Sequence, residues 1–213
     1  LKKQEQSESW GQWILQVLIL TAIFFGIFFV LNKYVFANLT VSGISMQPTF
    51  EHNDRVIALR HAKIKEGDIV IVDAPDEPGA VYIKRVIGLP GDTIVSKNNQ
   101  IYINGKKLNQ PWLKAGQKLI DNGEDGISGT KYTNTQNFTL SSLAKTQNYR
   151  QFYTSKQLKE MQKTNKVPAN TYFVMGDHRS VSKDSRYIGT IPRSKIVGVV
   201  KMRYWPLNHI TFY

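Results

Sequence analysis

Ser45 stands in SGISMQPTF, Ser42 to Phe50, a short stretch punctuated by Gly43 and Pro48. A serine hydroxyl attacks a carbonyl only when a base takes its proton, and the base can be a histidine, an N-terminal amine or a lysine. His52, His61, His178 and His209 all lie among polar or turn residues with no recognisable acid-partner pattern, the usual setting of surface or structural histidines. The chain has no cysteine, which excludes a thiol nucleophile, a disulfide framework and any cysteine-based zinc site.

Lys84 is the more informative base. In AVYIKRVIGL, Ala80 to Leu89, it interrupts an apolar run, and strand alternation puts it on one face with Tyr82 and Val86 while Ile83, Arg85 and Ile87 take the other. A lysine with its ordinary pKa of about 10.4 is protonated near neutrality, but an apolar wall disfavours the charged form and can bring it to about 7 to 8. The strand alone leaves two readings open: an edge strand showing its charge to water, or a base kept dry. A third stretch, MGDHRSVSKDSRYIG from Met175 to Gly189, gathers Asp177, Arg179, Ser182, Asp184, Ser185 and Arg186. Such a set supplies hydroxyls to orient a neutral amine and an Asp/Arg pair to fix the loop, or else it is a polar turn with surface ion pairs.

The elements that must position these residues are mainly strands. RVIALR (Arg55 to Arg60), DIVIVDA (Asp68 to Ala74), AVYIKRVIGL, TIVSKNNQIYING (Thr93 to Gly105), TYFVMGD (Thr171 to Asp177) and KIVGVVKMRYWPL (Lys195 to Leu207) are rich in Val, Ile and Tyr and bounded by Gly, Pro, Asn or Asp. Lys97 to Gln100 is expected to be a hairpin tip. Residues 106–170 are polar, carry eleven basic and four acidic residues, and suggest one short helix, Ser155 to Lys166, with Leu158 and Met161 as its apolar face. The organisation expected is a tail at 1–9, an anchor at 10–36, a β-rich domain built from 37–105 and 171–213, and a peripheral inserted subdomain at 106–170. The sequence shows no internal repeat, no phosphate-binding G-x-x-x-x-G-K-[ST] and no H-E-x-x-H.

From Ser9 to Asn32 no residue is charged, and these 24 residues would span roughly 36 Å as a helix, enough for a hydrocarbon core of about 30 Å. Trp10, Trp13 and Tyr34 fit interfacial positions at its ends. A cleaved export signal usually has an apolar region of only about 7 to 15 residues, so the stretch reads as a retained anchor. The net charge of +12 lies wholly beyond it, since Lys2, Lys3, Glu5 and Glu8 cancel. A tethered basic domain suits anionic headgroups or an acidic envelope polymer better than nucleic acid, although a solvated surface would look the same.

Three stretches, GISMQPT at 43–49, KRVIGLPGD at 84–92 and the GD-R-S-DSR pattern within 176–186, follow the anchor in that order. Together they resemble type I signal peptidases of family S26, membrane-bound serine proteases with a Ser/Lys dyad, and most closely the short Gram-positive type with one anchor. The resemblance implies a signal-peptidase-type, mainly β catalytic domain with a smaller inserted domain, preceded by one N-terminal transmembrane helix. It further implies that Ser45 is the nucleophile, Lys84 the general base, Ser182 a hydrogen-bond partner of the lysine, Asp184 and Arg186 the pair that shapes the loop, and Met46 and Pro48 determinants of the turn. Gly43 departs from members that carry an oxyanion-donating serine there, which leaves backbone N–H groups, notably that of Ser45. His178 and Val181 stand where asparagine is common. The implied activity is removal of signal peptides from exported preproteins after small residues, at the bilayer surface, with the site on the outer side of the cytoplasmic membrane and with no metal, cofactor or nucleic acid involved. Self-cleaving Ser/Lys repressors lack an anchor and carry a DNA-binding domain, and non-cleaving assembly factors tend to lose the dyad that Ser45 and Lys84 retain here.

Overall fold

The computed structural model describes residues 10–123 and 128–213; the expected tail at 1–9 lies outside them. Helix α1, Trp10–Val30, passes through a wider turn, Leu31–Val35, into strand β1, Phe36–Thr40. None of the α1 side chains is buried, although the helix is apolar throughout. Its 21 residues give roughly 32 Å, matched to a bilayer core of about 30 Å. A helix this apolar with no protein packed on it finds its low-energy surroundings in lipid.

Strands β2 (Arg55–Leu59), β3 (Ile69–Asp73) and β4 (Val81–Gly88) follow, then β5 (Ile94–Lys97), β6 (Gln100–Ile103) and β7 (Lys106–Lys107). The hairpin β8–β9 uses Ile120–Asn122 and Ser128–Lys131, and β10 is Phe138–Thr139. Three helices come next, α2 (Leu140–Leu143), α3 (Gln147–Arg150) and α4 (Ser155–Thr164). The chain closes with β11 (Thr171–Met175), α5 (Ser185–Ile188), β12 (Ile191–Pro192), β13 (Ile196–Trp205) and β14 (Thr211–Phe212). The main sheet runs β1-β2-β13-β3-β4-β11-β12 with β14 on β13, and every pairing in it is antiparallel.

The sequence reason for this sheet is visible in β3. Ile69 and Ile71 enter one cluster with Met46, Phe50 and Ile83, while Val70 and Val72 enter another with Val86, Val174 and Val199. A strand that is apolar on both faces belongs in the middle of a sheet. β4 therefore lies between β3 and β11, with Val70 opposite Lys84 and Ile69 opposite Arg85. This rules out the solvated-edge reading of the strand lysine, because β4 is not an edge and Lys84 is only 3% exposed.

Local turn chemistry builds the smaller sheet, β10-β5-β6-β7. Asn98 and Asn99, at φ 52° and 61°, close β5 onto β6, and Asn104 and Gly105, at 51° and 77°, close β6 onto β7. Positive φ at both central residues is what a tight hairpin with the right twist requires, and Asn and Gly adopt it at least cost. Pairing of β5 with β10 carries this sheet across the 105/106 boundary suggested by composition, and Ile94, Ile101 and Ile103 share a core with Phe138, Leu140 and Leu158. Helix α4 starts on a Thr154/Gln157 capping box, ends on a left-handed Asn165 and buries Leu158 and Met161 as its face predicts.

Candidate active site

The turn between β1 and β2 holds Ser45. Val41 N donates to Asp54 O at 2.7 Å and Asn53 N to Val41 O at 2.9 Å, so the turn is closed at its base. Met46 and Phe50 are buried in the core beneath it, which fixes the turn from inside. Gly43 adopts φ +84° with nothing within 4 Å of a would-be Cβ. Glycine stands there because the backbone is left-handed, and a side chain would be strained despite the space. Pro48 follows a cis peptide bond at Gln47.

Lys84 Nζ lies 2.7 Å from Ser45 Oγ, across 39 residues of sequence. Burial lowers the Lys84 pKa from 10.5 to about 8; the Asp184 carboxylate pulls it back upward, Arg186 pushes it down, and Asp177 and Asp76 raise it. As an ammonium the group donates to Oγ; once neutral it offers a lone pair to the serine hydroxyl. The Ser45 N–H donates to nothing among the described residues, so it is free to meet an oxyanion.

The loop after β11 packs directly onto this pair. Asp184 caps α5, accepts from Gly176 N at 3.0 Å, and takes two bonds of 2.8 Å from the Arg186 guanidinium. Burial alone would raise the Asp184 carboxyl, but Arg186 and the Gly176 N–H hold it below the ordinary carboxylate value. Gly176 is demanded by close approach, since a Cβ there would collide with the Ser182 side chain and with Ser45 O. Ser182 is buried beside the lysine's neighbours, but its Oγ has no hydrogen-bond partner among the described residues. The expected bond from Ser182 to Lys84 is thus not formed in this structure, and the lysine's own bond goes to Ser45.

Two further arrangements were not foreseen. Asp177 accepts from Arg85 Nε at 2.9 Å and Nη2 at 2.6 Å and from Thr49 Oγ1 at 2.5 Å, tying the serine turn, β4 and the loop together. His178, which has no acid partner in the local sequence, places Nε2 at 2.6 Å from Asp121 Oδ1 on β8. The one sequence signal for the first was Arg85, a second charge directly after Lys84 on the opposite face of the same apolar strand; nothing near position 178 points to Asp121.

A family model described as "Signal peptidase, peptidase S26" matches residues 10–205. The chain belongs to the signal peptidase family, peptidase S26. Signal peptidase IB of Staphylococcus aureus (strain MRSA252) is 33% identical over 203 residues, 93% of each chain, and signal peptidase I of Bacillus caldolyticus is 32% identical over 216 residues, 99% of this chain and 97% of that one. A crystal structure of a signal peptidase I from Enterococcus faecalis V583 is 32% identical, with a TM-score of 0.48 over 65% of this chain and 97% of that one. The signal peptidase match runs from the first turn of α1 to the end of β13 and so includes the anchor, the serine turn, the lysine strand and the Asp184 loop. The segment Trp10–Val35 is long and apolar enough to cross a membrane, which fits a membrane-anchored member of this family.

Proposed function

We propose that this signal peptidase is a membrane-bound serine endopeptidase that cleaves N-terminal signal peptides from exported preproteins, with Ser45 as nucleophile and Lys84 as general base. The observation that carries the assignment is the 2.7 Å approach of Lys84 Nζ to Ser45 Oγ inside a central, dry strand. Neutral Lys84 takes the hydroxyl proton as Oγ bonds to the scissile carbonyl carbon. The Ser45 N–H meets the oxygen as it becomes negative. The tetrahedral centre collapses by breaking the C–N bond, the ammonium of Lys84 returns its proton to the leaving amine, and an acyl-enzyme remains. A water that loses a proton to Lys84 then attacks the ester and releases the signal peptide with Ser45 restored.

Position supports the same reading. β1 begins at Phe36, directly after the anchor, and Ser45 comes nine residues later. A signal peptide spans the bilayer and exposes its cleavage site at the surface, so a nucleophile tethered this close meets it at the same depth. The proposed topology is a single pass with the catalytic domain, 37–105 and 171–213, on the extracytoplasmic side and 106–170 inserted into it. The partners are preprotein signal peptides and the phospholipid bilayer. Ser182, Asp184, Arg186, Met46, Pro48 and Gly43 act as supports: they keep the lysine enclosed and the turn in shape.

The test is mass spectrometry of the new N-terminus of a preprotein incubated with full-length enzyme in lipid vesicles. Ser45→Ala and Lys84→Ala are expected to leave the preprotein intact while unfolding cooperatively like the parent. Processing by Lys84→Ala at neutral pH refutes the lysine base.

A further inference from the structure

His178 sits in the loop after β11 with 1% exposure. Its ring lies between two acceptors: Nδ1 is 3.3 Å from Ile44 O and Nε2 is 2.6 Å from Asp121 Oδ1. A carbonyl oxygen can only accept, so the contact at Ile44 O is a hydrogen bond in the form of the ring that carries a hydrogen on Nδ1. The His178 backbone N–H donates to Ser45 O at 3.1 Å. One residue therefore holds the carbonyls on both sides of the nucleophile.

The consequence lies in the peptide plane. Ile44 C=O and Ser45 N–H belong to one rigid amide, so a donor fixed on that oxygen fixes where the N–H points. Donation to the oxygen also polarises the amide and strengthens its N–H as a donor. Gly43 itself brings no hydroxyl to the turn to share the load.

The ring is itself held by the hairpin β8–β9 and the segment following it. Asp121 is 4% exposed and accepts from Ser180 Oγ at 2.7 Å as well as facing His178. Tyr132 stacks on the imidazole with centroids 3.6 Å apart and an interplanar angle of 23°. A carboxylate at one ring nitrogen and an aromatic on the face leave the other nitrogen a single direction in which to point.

We propose that His178 is a positioning residue for the oxyanion donor: held by Asp121 and Tyr132 of the inserted subdomain, it orients the Ser45 N–H through Ile44 O. The inference rests on Ser45 being the nucleophile. It gives the inserted hairpin a part in the chemistry of a site to which it contributes no reacting group.

The test uses the two side-chain amides as partial replacements in full-length enzyme in lipid vesicles with a preprotein substrate. Asn carries its amide nitrogen where imidazole has Nδ1, and Gln where it has Nε2, so Asn restores the bond to Ile44 O and Gln restores only the bond to Asp121. His178→Ala and His178→Gln are expected to lose about 10- to 100-fold in kcat with KM within about threefold, less than the roughly 10²- to 10³-fold lost when an oxyanion donor is removed outright. His178→Asn is expected to recover at least about tenfold of that loss. Equal kcat for the Asn and Gln variants, a loss confined to KM, or wild-type kcat in all three overturns the proposal. Should His178→Ala not fold, the Asn and Gln variants carry the comparison, with thermal unfolding measured for each. Ser45→Ala run alongside separates the two readings: cleavage by that variant refutes the nucleophile assignment, whereas an inactive Ser45→Ala beside indifferent His178 variants refutes only the positioning role.

Discussion

Replacing Lys84 by Met keeps the length and apolar stem of the side chain and removes the group that titrates. Burial places the lysine's folded pKa at about 8, against 10.5 in the open. At about 1.36 kcal/mol for each pH unit, the difference is worth about 3 kcal/mol. The sign follows from proton counting. Between pH 8 and 10.5 the unfolded chain binds a proton at this site that the folded chain does not, so stability rises with pH through that window. Below about pH 8 both states hold the proton and the whole cost is present. Wild type minus Lys84→Met, measured as thermal unfolding of full-length protein in detergent, is expected to change in favour of wild type by about 3 kcal/mol between pH 7 and 11. At about 2–4 °C per kcal/mol for a chain of this size, that is roughly 6–12 °C. The same titration sets activity, because only the neutral amine accepts the serine proton. With kcat/KM reporting the free enzyme, the acid limb should have unit slope and bend near pH 8, leaving about 1% of the plateau at pH 6. A stability difference independent of pH together with a flat activity profile down to pH 5 would falsify the account of Lys84 as a desolvated base.

Two other changes probe the supports. Gly176→Ala puts a methyl group against Ser182 and Ser45 O; since a displacement of about 1 Å at a nucleophile costs about 10²-fold, kcat should fall by that order while substrate KM stays close to wild type, as steady-state kinetics would show. Asp184→Asn breaks a buried bidentate pair and strands Arg186, which should cost about 3–5 kcal/mol by chemical denaturation. Because the Asp184 carboxylate raises Lys84 and Arg186 lowers it, the acid limb of any residual activity should move to lower pH, and a shift to higher pH would contradict the electrostatics.

The proposed Ser45/Lys84 pair was legible through the resemblance that three ordered stretches carry; the local signals alone, a serine in a Gly/Pro turn and a lysine breaking an otherwise apolar alternation, left Lys84 open between a solvated edge residue and a base kept dry. Asp184 and Arg186 were legible in the same way, and lie two residues apart. Asp177 with Arg85, and His178 with Asp121, span 92 and 57 residues, and no periodicity encodes a side-chain contact at such separation. Elements followed the same division. Asn98-Asn99 and Asn104-Gly105 announce their hairpins through the φ they demand. Strand β1, FANLT, is short, mixed in polarity and placed at the sheet's end, so its identity comes from pairing with β2 and not from its own residues. The extent of the second sheet was hidden likewise, because Phe138 joins β5 through tertiary contact.

The surroundings of Lys84 answer to two opposed demands. As the proposed acceptor of the Ser45 proton the amine must be neutral in a useful fraction near physiological pH, and burial between β3 and β11 moves it in that direction. To return that proton to the leaving amine its conjugate acid must still form readily, which a purely apolar cage would resist. Asp184, Asp177 and Asp76 all favour the charged form, and Arg186 tempers them. The carboxylates nearest the site are themselves bound up: Asp184 by Arg186, Asp177 by Arg85. Paired in this way they lend a partial field and not a full counter-charge, so Lys84 is left at about 8 and not restored to the ordinary lysine value. Efficient proton transfer in both directions favours a pKa close to the working pH. The two buried ion pairs of the loop can therefore be understood as setting the proton affinity of a base that neither of them touches by hydrogen bond, which is why their removal should be read in a pH profile as well as in a melting curve.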